Sequence, residues 1–315
     1  MKILVTDAST VTNGDIDLSV LNKFGELTLR ERTSPAELLP LLSDCDILLC
    51  NKTQIGKREL DAAPKLKYIG LFATGYNNID TAYARERGVT VCNAGSYSTN
   101  AVCQQVFAYI LDHAARVRDF DSFVKDGGWM NSPTFSAFVY PSFELDGKTI
   151  GIIGYGAIGR AVASIALAFG MRVLVHTRTA REDSNVTFVD LYTLLSESDF
   201  VSVHCPLTPR SANMFDYAAF KKMKKTAMFI NTSRGGTVVE ADLCRALDEG
   251  VIACAAIDVL TTEPMSRDCP LYGAKNLLFT PHVAWAPIET RKRVLDIVSA
   301  CVDAFIKGEP INVVN

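Results

Sequence analysis

The sequence predicts an α/β protein made of two doubly wound parallel-sheet domains. The first observation is length, because 315 residues are too many for one small core and suit two domains of ordinary size. The second is a rhythm of short apolar, β-rich runs that alternate with helical patterns along most of the chain. The third is an aromatic-rich loop, Gly127 to Phe143, which interrupts this rhythm once before it resumes. Each half therefore predicts its own parallel sheet with covering helices.

The first half has short, closely spaced strand patterns. A helical pattern at Pro35–Leu42 lies between two of them, which is typical of a flavodoxin-like sheet. The final segment, Pro287 to Ile306, carries apolar residues at three- and four-residue spacing and predicts an amphipathic helix. We expect this helix to return to the first domain, which would then comprise residues 1–98 and 287–315. The strands of this half are predicted at Lys2–Thr6, Leu27–Leu29, Asp46–Cys50, Tyr68–Phe72 and Val89–Cys92.

The second half is predicted to span residues 99–286. A helical pattern from Thr99 to about Arg118 leads into the aromatic loop, and strands resume after it. The alternation has the length of a complete doubly wound domain. The strands are predicted at Thr149–Ile153, Arg172–Thr177, Phe200–His204, Ala227–Asn231, Ile252–Ile257 and Leu277–Phe279.

Composition excludes several classes of function. A net charge of −3 gives the chain no positive field with which to bind nucleic acid or anionic lipid. The longest apolar stretch, near Ala161 to Met171, is shorter than the ~18 residues that a membrane-spanning helix needs. Nine cysteines without a Cys-x-x-Cys pair indicate reduced core residues, and no metal site is predicted. We expect a cytoplasmic protein.

A glycine-rich sequence follows the first strand of the second half. Its pattern is Gly-x-Gly-x-x-Gly, between an apolar strand and an Ala-rich helix. In that setting the first glycine permits a tight turn, the second lets the backbone approach a pyrophosphate, and the third lets helix and strand pack closely. The pattern favours a Rossmann dinucleotide site, and a glycine-rich turn without a ligand is the alternative. The predicted contacts are Gly154, Tyr155, Gly156, Ala157, Ile158 and Gly159.

The end of the next strand bears on the choice of coenzyme. Thr177 stands where an acidic residue would usually hold the adenine ribose of NAD, and Arg178 follows it, with Arg181 close behind. Arginine offers charge to a 2′-phosphate, which slightly favours NADP over NAD. The alternative is that both arginines lie on a solvated loop.

Three later strand ends carry one cation, one acid and one histidine. Arg234, Glu263 and His282 each lie just past the carboxyl end of a predicted strand, where open parallel sheets bind ligands. Reduction of a 2-keto acid needs a cation to hold the carboxylate and a proton donor whose charged form is stabilised. A guanidinium and a carboxylate–imidazole pair can fill those roles. The alternatives are a helix-capping arginine, a surface ion pair and a core histidine.

These residues resemble the D-isomer-specific 2-hydroxyacid dehydrogenases over nearly the whole chain. The resemblance implies an NAD(P)-dependent enzyme that reduces a small 2-keto acid to the D-2-hydroxy acid. In it Arg234 anchors the substrate, His282 is the general acid/base, and Glu263 is the pKa partner of that histidine. The matching strings are Phe72–Asp80, His204–Thr208, Asn231–Gly235, Asp258–Leu260 and Thr280–His282.

The same resemblance implies further contacts. Backbone N–H groups of Thr74 and Gly75 would bind the substrate carboxylate, and Asp258 would contact the nicotinamide. Residues 1–98 and 287–315 would be the substrate domain, and residues 99–286 the dinucleotide-binding domain. The remaining implied coenzyme contacts are Thr177, Arg178, Val102, Cys205, Pro206 and Thr232.

Within the family, the string Asn93–Val102 and the loop Trp129–Pro141 resemble glycerate dehydrogenases, that is, hydroxypyruvate reductases. The chain departs from the usual pattern at Gln104 and Gln105, where many members carry Glu and His. The resemblance also implies a homodimer that exchanges the helix after residue 99 and the aromatic loop. Trp129 is a candidate specificity residue, and packing of the dimer interface is its alternative role.

Two other functions are compatible with the fold. One is an NAD(H)-sensing binding protein like the corepressors that resemble this family, although such a protein need not keep the Arg, Glu and His set. The other is formate dehydrogenase, which would need additional polar residues to hold formate and an extended N-terminus. Hydroxypyruvate and glyoxylate are the substrates expected first.

Overall fold

The computed structural model describes residues 1–179 and 182–315, which divide into two compact units. The first comprises Met1–Ser98 and Ala286–Asn315, and the second comprises Thr99–Trp285. The second boundary lies one residue before the one drawn from the sequence. The C-terminal segment belongs to the first unit because the helix within it packs against the strand Tyr68–Leu71 of that unit.

The described residues form strands and α-helices that alternate along both units. The strands are β1 Lys2–Val5, β2 Glu26–Leu29, β3 Ile47–Cys50, β4 Tyr68–Leu71, β5 Thr90–Cys92, β6 Thr149–Ile153, β7 Arg172–His176, β8 Thr187–Phe188, β9 Phe200–Val203, β10 Met228–Asn231, β11 Cys254–Ile257 and β12 Leu277–Phe279. The helices are α1 Pro35–Leu42, α2 Lys57–Asp61, α3 Thr81–Glu86, α4 Thr99–Ala115, α5 Val117–Lys125, α6 Ala157–Ala168, α7 Leu191–Glu197, α8 Tyr217–Phe220, α9 Glu240–Asp248 and α10 Ile288–Ile306.

The first unit contains a parallel sheet of five strands in the order β2-β1-β3-β4-β5. This is the flavodoxin-like order. Every residue of β3 and β4 is buried, as expected for central parallel strands covered on both faces. Helix α10 packs against β4, and the ring of its Phe305 lies 4.7 Å from that of Tyr68. Its apolar stripe, predicted from the sequence, is therefore part of this unit's core.

The second unit contains a seven-stranded parallel sheet in the order β12-β11-β10-β9-β6-β7-β8. The order reverses between β6 and β9, which is the point where doubly wound sheets bind ligands. One face is packed by aromatic side chains, including Phe215, Phe220 and Phe229. The other face is covered by α4 and α6. The predicted fold class is confirmed, and the eleven predicted strands agree with the observed ones to within two residues.

One predicted helix is wrong in extent. The sequence predicted a continuous helix from Thr99 to about Arg118, but Arg116 adopts a left-handed conformation with φ of 54° and separates α4 from α5. Its guanidinium pairs with Asp119 at 2.5 Å and lies over the ring of Tyr140. These contacts stabilise the left-handed conformation of Arg116 that separates the two helices, because a non-glycine residue rarely adopts this conformation without support.

Two kinds of feature are absent from the described part of the chain. Within residues 1–179 and 182–315, no helix is both long and apolar enough to cross a membrane. The same part of the chain has no group of three or more His, Cys, Asp or Glu side chains arranged to hold a metal ion. All nine cysteines are free thiols.

Candidate active site

The glycine-rich turn joins β6 to α6 at the switch point of the second sheet. Gly154 has φ of +94°, and a Cβ atom there would lie 2.7 Å from the backbone nitrogen of Cys205. A Cβ atom on Gly159 would lie 2.2 Å from the carbonyl oxygen of Gly154. Gly156 faces open space, with no heavy atom within 4 Å of its Cβ position. Two glycines therefore permit close packing, while the third leaves the start of the helix exposed.

This turn fits the diphosphate of a dinucleotide. Gly156 is the N-cap of α6 and has no side chain that could occupy the free N–H groups of the first turn, which attract anions. Thr232, at the end of β10, which lies two strands from β6 in the sheet, has a buried hydroxyl without a hydrogen-bond partner among the described residues. A buried hydroxyl without a partner is energetically unfavourable unless a bound ligand forms a hydrogen bond with it. Both observations fit a coenzyme along the carboxyl edge of this sheet.

Tyr155 has a contact that the sequence did not indicate. Its hydroxyl donates to the Asp183 carboxylate at 2.6 Å, and its ring packs edge-on against Phe188. The hydroxyl bond lowers the pKa of Asp183 and keeps it ionised. The glycine-rich turn is thereby tied to the loop after β7, although these residues are 28 positions apart. Spacing alone could not have revealed this pair.

The loop after β7 also contains the residues that bear on coenzyme choice. Thr177 is half-buried, whereas Arg178 is exposed and forms no ion pair with another described residue. Arg181 lies outside the described residues. Arg178 is therefore available to an external anion.

Directly after β9, a half-buried histidine, His204, precedes Cys205 and Pro206. Burial lowers the pKa of His204 to about 4, so its imidazole is neutral at physiological pH. The ring nitrogen Nε2 lies 2.9 Å from the hydroxyl oxygen of Ser202. Cys205 is half-buried and burial raises the pKa of its thiol. The segment that follows β9 therefore presents neutral groups along the edge of the sheet. Val102, another predicted coenzyme contact, lies in α4 and is buried.

Arg234 lies in a loop whose main chain is fixed by buried polar side chains. The Nδ2 of Asn231 donates to the carbonyl oxygen of Arg234 at 3.0 Å, and the hydroxyl of Thr237 donates to the same oxygen at 2.8 Å. The guanidinium donates to the Ser233 carbonyl at 2.7 Å. Asn231 is 1% exposed, so its bonds are protected from water. The backbone from which the cation projects is rigid.

Gly235 brings the arginine loop against the loop that carries Glu263. A Cβ atom on Gly235 would lie 1.9 Å from the carbonyl carbon of Leu260, so only glycine permits this approach. Glu263 folds back on the same loop, with Oε1 accepting the N–H of Leu260 at 2.9 Å. Its Oε2 lies 2.6 Å from Nδ1 of His282. The predicted acid and histidine are therefore in direct contact.

His282 has an unusual backbone conformation, with φ of 56°. Its N–H donates to the carbonyl oxygen of Asp258 at 2.8 Å. The Asp258 carboxylate accepts the N–H groups of Val283 and Ala284, both at 2.9 Å, and the hydroxyl of Thr280. Burial raises the pKa of Asp258. Asp258, predicted only as a nicotinamide contact, thus holds the turn that presents the histidine.

A tyrosine from α4 extends this network. The hydroxyl of Tyr109 lies 2.5 Å from Thr280 Oγ1, which in turn donates to Asp258. Sequence reasoning missed Tyr109 because its position in an apolar helix pattern resembles that of an ordinary core residue. Only its hydroxyl distinguished it from its neighbours.

Thr74 and Gly75, the predicted carboxylate-binding residues, lie in the first unit. They follow β4, in a loop that is tied to the end of β5. Asn78, farther along the loop, donates to the carbonyl oxygen of Thr53 at 2.8 Å. This loop is thus fixed by hydrogen bonds on both sides.

The fold and the glycine-rich turn define a nicotinamide-dependent oxidoreductase. The chain belongs to the D-isomer specific 2-hydroxyacid dehydrogenase family, since the model of that family's NAD-binding domain matches residues 107–284. It is 41% identical to a hydroxypyruvate reductase of Blautia hydrogenotrophica, over 100% of both chains. It is 38% identical to a glyoxylate reductase of Thermococcus litoralis, over 95% of this chain and 93% of the relative.

A solved structure is similar throughout. It is an NADPH-dependent glyoxylate/hydroxypyruvate reductase from Sinorhizobium meliloti, in complex with NADP and malonate. The two chains are 29% identical, with a TM-score of 0.85, over 99% of this chain and 96% of that one. The predicted family is confirmed, and with it an NAD(P)-dependent enzyme rather than a binding protein without activity.

The close approach of Gly235 to Leu260 generates a prediction. We expect Gly235→Ala to lower kcat/KM for a 2-keto acid by about 10²-fold, because an added Cβ displaces the arginine loop and even a 1 Å displacement can cost that much. Gly236→Ala is the matched control, since its Cβ would meet only the flexible side chain of Leu207 at 3.0 Å. Steady-state kinetics on both variants check it. Equal activity of the two variants would show that the approach is unimportant.

Proposed function

We propose that this enzyme reduces hydroxypyruvate or glyoxylate to the corresponding D-2-hydroxy or 2-hydroxy acid with NADPH or NADH. The observation that carries this proposal is the 2.6 Å contact between Nδ1 of His282 and Oε2 of Glu263, beside the loop of Arg234. The names of the relatives support the choice of substrate. A panel of hydroxypyruvate, glyoxylate and pyruvate, assayed with both coenzymes, tests it.

His282 is proposed as the proton donor. Because Nδ1 faces Glu263, the proton to be transferred lies on Nε2, and the carboxylate stabilises the imidazolium. The side chains of His282 and Glu263 are 26% and 33% exposed, so water can re-protonate the imidazole between turnovers. The left-handed turn held by Asp258 fixes the direction of the ring.

Arg234 is proposed as the substrate anchor. A guanidinium can donate two parallel hydrogen bonds, one to the carboxylate and one to the reacting carbonyl oxygen. Its charge also stabilises the negative charge that develops on that oxygen during reduction. The Asn231 and Thr237 bonds to its carbonyl give the side chain a fixed origin.

The coenzyme, when bound, supplies the hydride. The glycine-rich turn from Gly154 to Gly159 is proposed to hold its diphosphate, and the hydroxyl of Thr232 to complete its contacts near β10. Asp258 accepts bonds from its own turn and is proposed to face the nicotinamide amide as well. Residues 99–286 would thus act as the dinucleotide-binding domain, with Tyr155, Ala157, Ile158, Val102, Cys205 and Pro206 as further contacts.

The substrate domain is proposed to comprise residues 1–98 and 287–315. Its contribution is the loop after β4, where the N–H groups of Thr74 and Gly75 would donate hydrogen bonds to the substrate carboxylate. Backbone donors suit this task because they bind anions without adding a mobile side chain.

We also propose a cytoplasmic homodimer. The segment from Gly127 to Phe143 exposes large apolar side chains, with Met130, Phe135 and Phe138 at 86%, 89% and 94% exposure. Such a run of exposed apolar residues is typical of an interface. Trp129 donates from Nε1 to the carbonyl oxygen of Phe135 at 2.9 Å and so shapes this segment. We propose two alternative roles for Trp129, which are packing of the dimer interface and selection of the substrate.

Removal of the imidazole tests the proton donor. We expect His282→Ala to lower kcat for hydroxypyruvate by ~10²–10⁴-fold, the usual contribution of a positioned acid. Coenzyme affinity, measured by fluorescence titration of NADPH, should stay within a few-fold of wild type. Near wild-type turnover in this variant would refute the assignment.

Removal of the neighbouring charge tests Glu263. Glu263→Gln keeps an oxygen for the N–H of Leu260 but no longer stabilises the imidazolium. Its kcat for hydroxypyruvate should therefore fall, while the KM for NADPH should stay close to that of wild type. Glu240→Gln is the control, because Glu240 accepts the N–H of Thr261 but does not face His282. A kcat in Glu263→Gln equal to that of wild type and of the control would remove Glu263 from the mechanism.

The exposed Arg178 generates a prediction on coenzyme choice. An exposed charge-assisted contact to a 2′-phosphate gives roughly tenfold in affinity, so NADPH should be used at least as well as NADH. Arg178→Ala should lower kcat/KM for NADPH about tenfold and leave that for NADH unchanged. Arg32→Ala, an exposed arginine of the first unit, is the control. A clear NADH advantage in wild type, unaltered by Arg178→Ala, would show that the arginine does not contact the coenzyme.

A further inference from the structure

The peptide between Thr74 and Gly75 is held by a side chain from the end of the neighbouring strand. Asn93, directly after β5, donates from Nδ2 to the carbonyl oxygen of Thr74 at 2.7 Å. Its Oδ1 accepts the N–H of Gly95 at 3.1 Å, which fixes the orientation of the amide. Both ends of the Asn93 side chain are thus engaged.

Two more hydrogen bonds join the same segments. The N–H of Ala94 donates to the carbonyl oxygen of Ala73 at 2.9 Å, and the hydroxyl of Thr74 donates to the carbonyl oxygen of Gly95. Residues 73–74 are therefore tied to residues 93–95 at three points. All of these residues belong to the first unit.

The planarity of the peptide gives these bonds a consequence for Gly75. In a trans peptide the C=O and N–H groups point in opposite directions. Because Asn93 binds the carbonyl oxygen of Thr74, the N–H of Gly75 points away from Asn93. Among residues 1–179 and 182–315, no acceptor is recorded for the N–H of Thr74 or of Gly75. The loop thus presents two donors that its own fold does not use.

We propose that Asn93 is a positioning residue that aims the N–H of Gly75 at the carboxylate of the 2-keto acid. This inference rests on the proposed function, in which Thr74 and Gly75 bind that carboxylate. An N–H donor contributes to anion binding only when it is well aligned, since hydrogen bonds weaken steeply away from linearity. Without Asn93 the peptide can rotate, and the donor would lose its direction while the rest of the site stays intact.

Binding of a carboxylate probe tests the proposal without relying on turnover. The full-length protein, labelled with [15N]glycine, is titrated with oxamate in the presence of NADPH. In wild type we expect the Gly75 amide resonance to shift as oxamate is added, and the shift to reach a plateau at high oxamate concentration. In Asn93→Ala the Kd for oxamate should rise by about ten- to a hundredfold, as for lost hydrogen bonds to a charged group, and the Gly75 response should weaken. An unchanged Kd and an unchanged Gly75 response in Asn93→Ala would overturn the proposal. A wild-type Gly75 resonance that does not shift when oxamate is added would also overturn it.

Two further variants separate positioning from stability. Asn93→Ser keeps a small polar side chain and is used if Asn93→Ala does not fold. Asn22→Ala removes an exposed asparagine elsewhere in the first unit and should bind oxamate like wild type. In kinetic assays a positioning role raises KM for hydroxypyruvate while the KM for NADPH stays constant. A rise in both, together with a lowered Tm, would indicate a structural role only and overturn the proposal.

The same experiments distinguish failure of the proposed function. If wild type binds oxamate through Gly75 and loses this binding in Asn93→Ala, yet reduces neither hydroxypyruvate nor glyoxylate, the positioning role stands and the proposed function fails. If wild type reduces both acids and Asn93→Ala binds oxamate as tightly as wild type, the positioning role alone fails.

Discussion

The candidate site depends on the buried carboxylate of Asp258. A carboxylate that is 2% exposed is unfavourable unless donors surround it, and the turn after β12 supplies three of them. The same turn places His282 in a left-handed conformation, which costs about 1–3 kcal/mol for a non-glycine residue. The hydrogen bonds of Asp258 offset this cost. The direction of the imidazole is therefore set by a residue on the preceding strand end.

A second constraint is the contact between the backbone of Gly235 and that of Leu260. It brings the arginine loop and the glutamate loop together without any side chain between them. The Glu263–His282 pair is partly exposed, and such pairs contribute little to folding stability. In the mechanism proposed above, the pair orients the imidazole for proton transfer, which would explain why strong backbone constraints surround a weak ion pair.

Both units fix a backbone carbonyl group by hydrogen bonds from polar side chains. In the second unit Asn231 and Thr237 bind the carbonyl oxygen of Arg234, and in the first unit Asn93 binds that of Thr74. Each bond fixes a peptide plane next to a group assigned to the substrate. The planar amide of Asn93 donates and accepts through two separate atoms, so it ties two backbone groups at once. In these two loops the peptide planes are therefore held by neutral side chains, whereas the turn at His282 is held by the carboxylate of Asp258.

The sequence by itself determined the fold class and the family. Strand patterns recur at regular intervals, so both sheets and the positions of their carboxyl edges could be predicted, and the glycine-rich turn marked the dinucleotide fold. It also placed Glu263 and His282 just past the carboxyl ends of two predicted strands. It missed the break at Arg116, the short strand β8 and the bond between Tyr155 and Asp183.

The tertiary structure alone decided the left-handed turn at His282, the approach of Gly235 to Leu260 and the bond from Asn93 to Thr74. These features depend on contacts between residues that lie far apart in sequence or on a backbone conformation that neighbours impose. Periodicity reports which face of an element is buried, because that is a property of one segment. The direction of a single peptide or side chain is fixed only when several segments meet. For this reason the sequence could predict which residues form the site, but not how their functional groups are oriented.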